Sequence, residues 1–110
     1  MKRYCLALDL VDDAELISAY EEHHRNVWPA IKKSISDSGI LHLEIYRFAN
    51  RLFMIMDTSD DFSFAAKAAA DAANPEVQEW ERLMWKYQQT LPGTKAGEKW
   101  VLMDRIFSLK

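Results

Sequence analysis

The chain has 110 residues, 49% of them hydrophobic and 28% charged, which is enough for one compact domain over 1–110 with a real core and too little for two. A formal net charge of -3, with no element that clusters Lys or Arg, excludes the phosphate neutralisation that nucleic-acid binding requires. No apolar run approaches the roughly 20 residues that span a bilayer, and the single Cys5 has no partner for an intramolecular disulfide, so a soluble, cytoplasmic, non-membrane protein is expected.

Residues 2–10 alternate, with Tyr4, Leu6, Leu8 and Leu10 on one side and Arg3, Cys5, Ala7 and Asp9 on the other. That period of two is a half-buried strand, in which Cys5 reads as a buried structural thiol. "DDAEL" then supplies acidic capping and first-turn residues for a helix toward Ser36, interrupted near Pro29 and ended by Gly39. On a helical wheel Leu16, Ile17, Tyr20, His24, Val27, Ile31 and Ile35 share one arc of about 100°.

Tyr20 and His24 thus lie inside an apolar stripe. Polar groups there cost roughly 1 to 3 kcal/mol unless hydrogen-bonded. Two readings stay open: a satisfied core histidine with a tyrosine packed on it, or a site one helical turn long containing a group that titrates near neutral pH. His23 points about 100° away and is expected to be solvated. The pair is a poor metal signature for the same reason.

"ILHLEIYRF" and "RLFMIMDT" are two further alternating stretches separated by "AN", an antiparallel hairpin with a short turn in which Asn50 can accept a left-handed conformation. The polar strand residues His42, Glu44 and Asp57, and Asp104 later on, read as outward-facing solvated groups. An alanine-rich segment at 62–73 leads to Asn74 and Pro75, a cap and first turn that restart the second helix. In "VQEWERLMWKYQQ" the core stripe is Val77, Trp80, Leu83, Met84 and Tyr87, whereas Trp85 falls some 140° from its centre, among Gln78, Glu81 and Gln88. Trp85 therefore packs at the helix edge, caps a partner subunit, or offers its indole to the C–H face of a sugar ring. "LPGTKAG" reads as a surface loop and "KWVLMDRIFSL" as a fourth strand.

The order β-α-β-β-α-β is the ferredoxin-like arrangement of the α+β class, one antiparallel sheet with two helices on one face. Its other face has no covering element, so it must be a cavity, a dimer interface or both. GxGxxG, P-loop, HExxH, CxxC and GxSxG motifs are absent, which leaves nucleotide cofactors, structural zinc and serine hydrolysis without support.

Several short motifs in order, Y-x-x-x-H-x-x-x-W-P at Tyr20, His24, Trp28 and Pro29, "SGI" and "EIY" within 38–46, "NRLF" at 50–53, "WKY" at 85–87 and the final "IFSL", resemble the L-rhamnose mutarotase family over nearly the whole chain. The resemblance implies a ferredoxin-like fold paired into a homodimer, as a dimeric α/β barrel. It also implies interconversion of the α and β anomers of a 6-deoxyhexose with no metal and no cofactor. It assigns the proton-donor role to His24 and sugar contact to Tyr20 and Trp85. An imidazole suits ring opening and reclosure, because it gives and takes a proton near pH 7. Two sugar-contacting positions depart from the rhamnose-specific pattern: Leu43 stands where a tyrosine is usual, and Met84 precedes Trp85 where two tryptophans are adjacent. L-Fucose is accordingly a candidate substrate beside L-rhamnose. Alternatives for the same fold are a haem- or quinol-type monooxygenase, with His24 as iron ligand or base, and a sugar-binding dimer module without catalysis.

Overall fold

The computed structural model describes residues 1–95 and 98–110. In chain order they form β1 Lys2–Leu10, α1 Ala14–Arg25, α2 Pro29–Asp37, β2 Ile40–Phe48, β3 Arg51–Thr58, α3 Phe64–Ala72, α4 Pro75–Trp85, β4 Gln88–Gln89 and β5 Val101–Leu102. Local chemistry sets the boundaries. Asp13 caps α1 by accepting from the Leu16 amide at 3.0 Å. Pro29, which lacks an N–H and sits in the first turn of α2, separates the two halves of the first helical layer. Ser63 and Asn74 cap α3 and α4 in the same way, their side chains accepting from Ala66 and from Glu76 and Val77. Gly39 has φ +95°, and a Cβ there would lie 2.9 Å from Ser59 Oγ, so the turn out of α2 requires glycine twice over.

The strands are antiparallel in the order β2-β3-β1-β4, and β5 also pairs with β1. Pairing of Tyr4 with Met56, Leu6 with Met54 and Leu8 with Leu52 puts the apolar sides of β1 and β3 together, with Leu43 and Ile45 of β2 beside them. This face carries the helices. It forms one core cluster around Leu6, Ile40, Met54 and Met56, against Ile35, Phe62 and Trp100. A second gathers Leu10, Tyr20, Leu52 and Met84 with Ile17, Trp80 and Leu83.

Among the described residues, the opposite face has no helix on it. Its centre is Cys5, Ala7, Phe53 and Ile55, and Val101 stands opposite Ala7. Two ion pairs frame that centre, Arg3 Nε with Asp57 Oδ1 at 2.7 Å and Arg51 Nε with Asp9 Oδ1 at 2.8 Å. Among the described residues no helix is long and apolar enough to cross a membrane.

The structure corrects several expectations. Asp57 is buried rather than solvated, because Arg3 covers it with two hydrogen bonds. His42 is exposed as expected and Glu44 is half-buried, and the two are bonded to each other at 2.6 Å. Cys5 is only half-buried, since it lies on the uncovered face. The left-handed residue of the hairpin is Ala49, φ +52°, while the Asn50 amide donates to the Leu10 carbonyl at 3.0 Å. Of the "LPGTKAG" loop, 91–95 is turn and irregular backbone, and residues 96 and 97 lie outside the described residues.

The long fourth strand is the largest difference. The free edge of β1 is shared by Gln88–Gln89, opposite Leu10 and Asp9, and by Val101–Leu102, opposite Ala7 and Leu6. In the register that sets Leu6 against Leu102, Lys2 falls opposite Ile106, so the last residues have no strand of their own chain to pair with. Met103 still donates to the Cys5 carbonyl at 2.8 Å, but Ile106 and Phe107 are 96% and 75% exposed.

Candidate functional site

One turn of α1 stacks Tyr20 and His24 with ring centroids 4.4 Å apart. His24 Nδ1 donates to the Tyr20 carbonyl oxygen at 2.9 Å. A carbonyl can only accept, so the proton of the neutral ring sits on Nδ1 and Nε2 keeps a bare lone pair. Trp80 of α4 meets the His24 ring edge-on at 5.7 Å, and Trp28 in turn meets Trp80 at 5.1 Å. Burial in this aromatic setting holds the imidazole below its ordinary value of 6.5; the Tyr20 carbonyl opposes that shift and the neighbouring His23 adds to it. The group is a neutral base at pH 7.

Tyr20 is buried, and its hydroxyl accepts from Gln88 Nε2 at 3.4 Å. Burial pushes its pKa above the ordinary phenol value, with the Gln88 bond acting the other way, so the phenol keeps its proton. Both rings open onto a cavity of about 690 Å³ between the helices and the sheet. Leu6, Leu43, Ile45, Met54 and Met56 make an apolar floor, and Trp80, Trp85 and Trp100 are among its walls. His24 and Tyr20 also border a smaller hollow of about 430 Å³ lined by Glu21, Arg25, Tyr46 and Arg47. The larger space is the better candidate, because it combines an apolar floor, indole walls and polar groups, as a small-molecule site requires.

All five residues singled out in the sequence, Tyr20, His24, Leu43, Met84 and Trp85, line that cavity. They do so in different ways. Met84 is a core residue packed with Leu10, Tyr20 and Leu52, and Leu43 belongs to the floor. Trp85 is 41% exposed at the rim, with Lys99 Nζ 4.3 Å from its ring centroid. One face of that indole therefore already holds a cation. Burial pushes the Lys99 pKa below its ordinary value, and Glu81 partly restores it. His23, expected to be solvated, instead bonds through Nε2 to the Tyr87 hydroxyl at 3.1 Å and stands outside the cavity lining.

Other polar residues of the lining escaped the sequence reading. Lys67 Nζ pairs with Asp71 Oδ2 at 2.7 Å, and Ser34 Oγ donates to Asp71 Oδ1 at 3.4 Å. The signal was present as a lysine and an aspartate four apart in an otherwise alanine-rich helix. The helical wheel sets Gln88 beside Trp85, Gln78 and Glu81, off the core stripe, but α4 ends at Trp85 and Gln88 is a strand residue opposite Leu10, so the wheel does not apply to it.

The sequence profile of the L-rhamnose mutarotase family matches residues 3–109. An L-fucose mutarotase of Xanthomonas campestris pv. campestris is 50% identical over 111 aligned positions, which cover 99% of this chain and 89% of that protein. An L-rhamnose mutarotase of Phocaeicola vulgatus is 36% identical over 70 positions, 62% of this chain and 60% of the other. The fold matches the crystal structure of an L-rhamnose mutarotase from Formosa agariphila with a TM-score of 0.73 over the full length of both chains, at 22% identity.

Proposed function

Since the chain belongs to the L-rhamnose mutarotase family and is thus an isomerase that interconverts sugar anomers, we propose that it acts on 6-deoxy-L-hexoses, L-fucose at least as well as L-rhamnose, with His24 moving the proton. The observation that carries the reading is the tautomer of His24: Nδ1 is committed to the Tyr20 carbonyl, and Nε2 is a bare base on a ring that lines the cavity.

Nε2 takes the proton from the anomeric hydroxyl. The oxygen's electron pair forms the aldehyde C=O as the bond from C1 to the ring oxygen breaks, and the imidazolium returns its proton to that ring oxygen. One imidazole serves both transfers because both oxygens are bonded to C1. Rotation about C1–C2 presents the other face of the aldehyde, and the steps run in reverse to close the second anomer. His24 is therefore the base in the first half of each ring opening and the proton donor in the second. Tyr20 keeps its phenolic proton for a sugar oxygen, and the open face of Trp85 suits a C–H face or the C6 methyl.

The same proposal includes a homodimer formed through the uncovered sheet face, a cytoplasmic setting, and no dealings with nucleic acid or membrane. Support for the dimer is the apolar centre at Ala7, Phe53 and Ile55, ringed by the Arg3–Asp57 and Arg51–Asp9 pairs.

Leu43 and Met84 place apolar groups where a rhamnose-specific relative offers a hydroxyl and a flat ring. An apolar wall separates epimers by only about 1 to 3 kcal/mol. Leu43→Tyr is accordingly expected to shift the ratio of exchange rates toward L-rhamnose. Rates for both sugars on parent and variant test the assignment. A strong rhamnose preference in the parent, or an unchanged ratio in the variant, would remove L-fucose and Leu43 from it, and sugar binding without accelerated exchange would leave a binding module.

A further inference from the structure

We infer that Gln88 docks a hydroxyl of the sugar and thereby sets which epimer the cavity prefers. The inference rests on the proposed sugar site and adds to it a residue that neither the motifs nor the helical pattern marked. Gln88 is 8% exposed, stands opposite Leu10 in β1, and lines the cavity with His24 and Trp80. Among the described residues, its Oε1 is the one buried side-chain polar atom without a hydrogen-bond partner.

Nε2 donates to the Tyr20 hydroxyl at 3.4 Å, while Oε1, at the other end of the same amide, is unpaired. A buried amide with one end unmet is destabilising, and the neighbouring cluster of Leu10, Leu52 and Met84 shows that apolar side chains fill this part of the core. Packing alone gives no reason for a glutamine here.

A neutral amide offers a donor at one end and an acceptor at the other, which suits a neutral hydroxyl. A hydroxyl can donate to Oε1 or accept from Nε2, so it completes Gln88 in either orientation. Tyr20 ties this point to the chemistry: its ring lies on His24 and its hydroxyl on Gln88. A pyranose held by one hydroxyl at Gln88 thus presents another of its carbons to His24. L-Fucose and L-rhamnose differ in configuration at C2 and C4, so a bond to either hydroxyl tells them apart.

The test is a cycle between the residue and the hydroxyl. Dissociation constants are measured by NMR titration for L-fucose, 2-deoxy-L-fucose and 4-deoxy-L-fucose on the parent, on Gln88→Leu, and on Gln88→Met, whose flexible chain keeps the length of glutamine should leucine fail to fold. In the parent, one deoxy sugar is expected to bind about tenfold or more weakly than L-fucose. The variants are expected to weaken L-fucose to the level of that deoxy sugar and to weaken the deoxy sugar itself little further. Equal losses on all three sugars would make Gln88 a structural residue and overturn the inference, as would a parent indifferent to both deletions. Because the readout is binding, a protein that holds sugar through Gln88 without exchanging anomers would refute the mutarotase reading and leave the inference standing. Absence of any sugar binding would refute both.

Discussion

Replacement of His24 by alanine is expected to slow anomer exchange by about 10² to 10⁴, the usual worth of a positioned acid-base group, while the fold stays intact. The His24 bond runs to a carbonyl of its own helix, so its loss severs no link between elements, and alanine favours the helix. His23→Ala is the matched control: the Nε2 of His23 serves the Tyr87 hydroxyl, so its removal costs about 1 kcal/mol of stability and little rate. Equal rate losses at both positions would place the working face of α1 elsewhere.

The protonation state adds a sign. Burial holds the His24 imidazole below 6.5, so the base form persists on mild acidification, and exchange is lost only as pH falls through that lowered value. Stability follows the same direction: between the lowered value and 6.5 the unfolded chain binds more protons, so His24 favours the folded state at neutral pH and that contribution disappears on acidification. A pH-rate profile with His24→Ala as reference shows both limbs.

A second large effect is expected at the uncovered sheet face. Phe53 stands between Ala7 and Tyr46 in the register of the three central strands. Phe53→Asp places a carboxylate in the centre of the proposed interface, and an uncompensated charge buried there costs about 3 to 5 kcal/mol. At 1.4 kcal/mol per tenfold, that weakens dimerisation by about two to four orders of magnitude. Sedimentation of the parent should give twice the chain mass at micromolar concentration, and the variant should sediment as a single chain. A monomeric parent would end the dimer proposal, and a dimeric variant would move the interface to another surface.

Much of this architecture is legible in the residues because it depends on short-range rules. Alternation identified β1, β2 and β3, and Asp13, Pro29, Gly39, Asn74 and Pro75 marked the helix ends where the structure has them. The Tyr20–His24 pair was visible as polar groups inside an apolar stripe. Long-range partners were not legible. Asp57 looks solvated until Arg3 lies beside it, and His23 looks solvated until Tyr87 reaches it from another element. Residues 107–110 continue a strand-like composition, but a strand also needs an edge, and in this register β1 begins at Lys2, opposite Ile106. Gln88 was misplaced because the period changes from helix to strand within three residues.

The most direct test is saturation transfer between the α and β anomeric protons of L-fucose and L-rhamnose in the presence of the protein. Transfer should rise in proportion to protein concentration, at least as steeply for L-fucose as for L-rhamnose, and should fall to the buffer rate in His24→Ala. Transfer at the buffer rate for both sugars with the parent protein would contradict it.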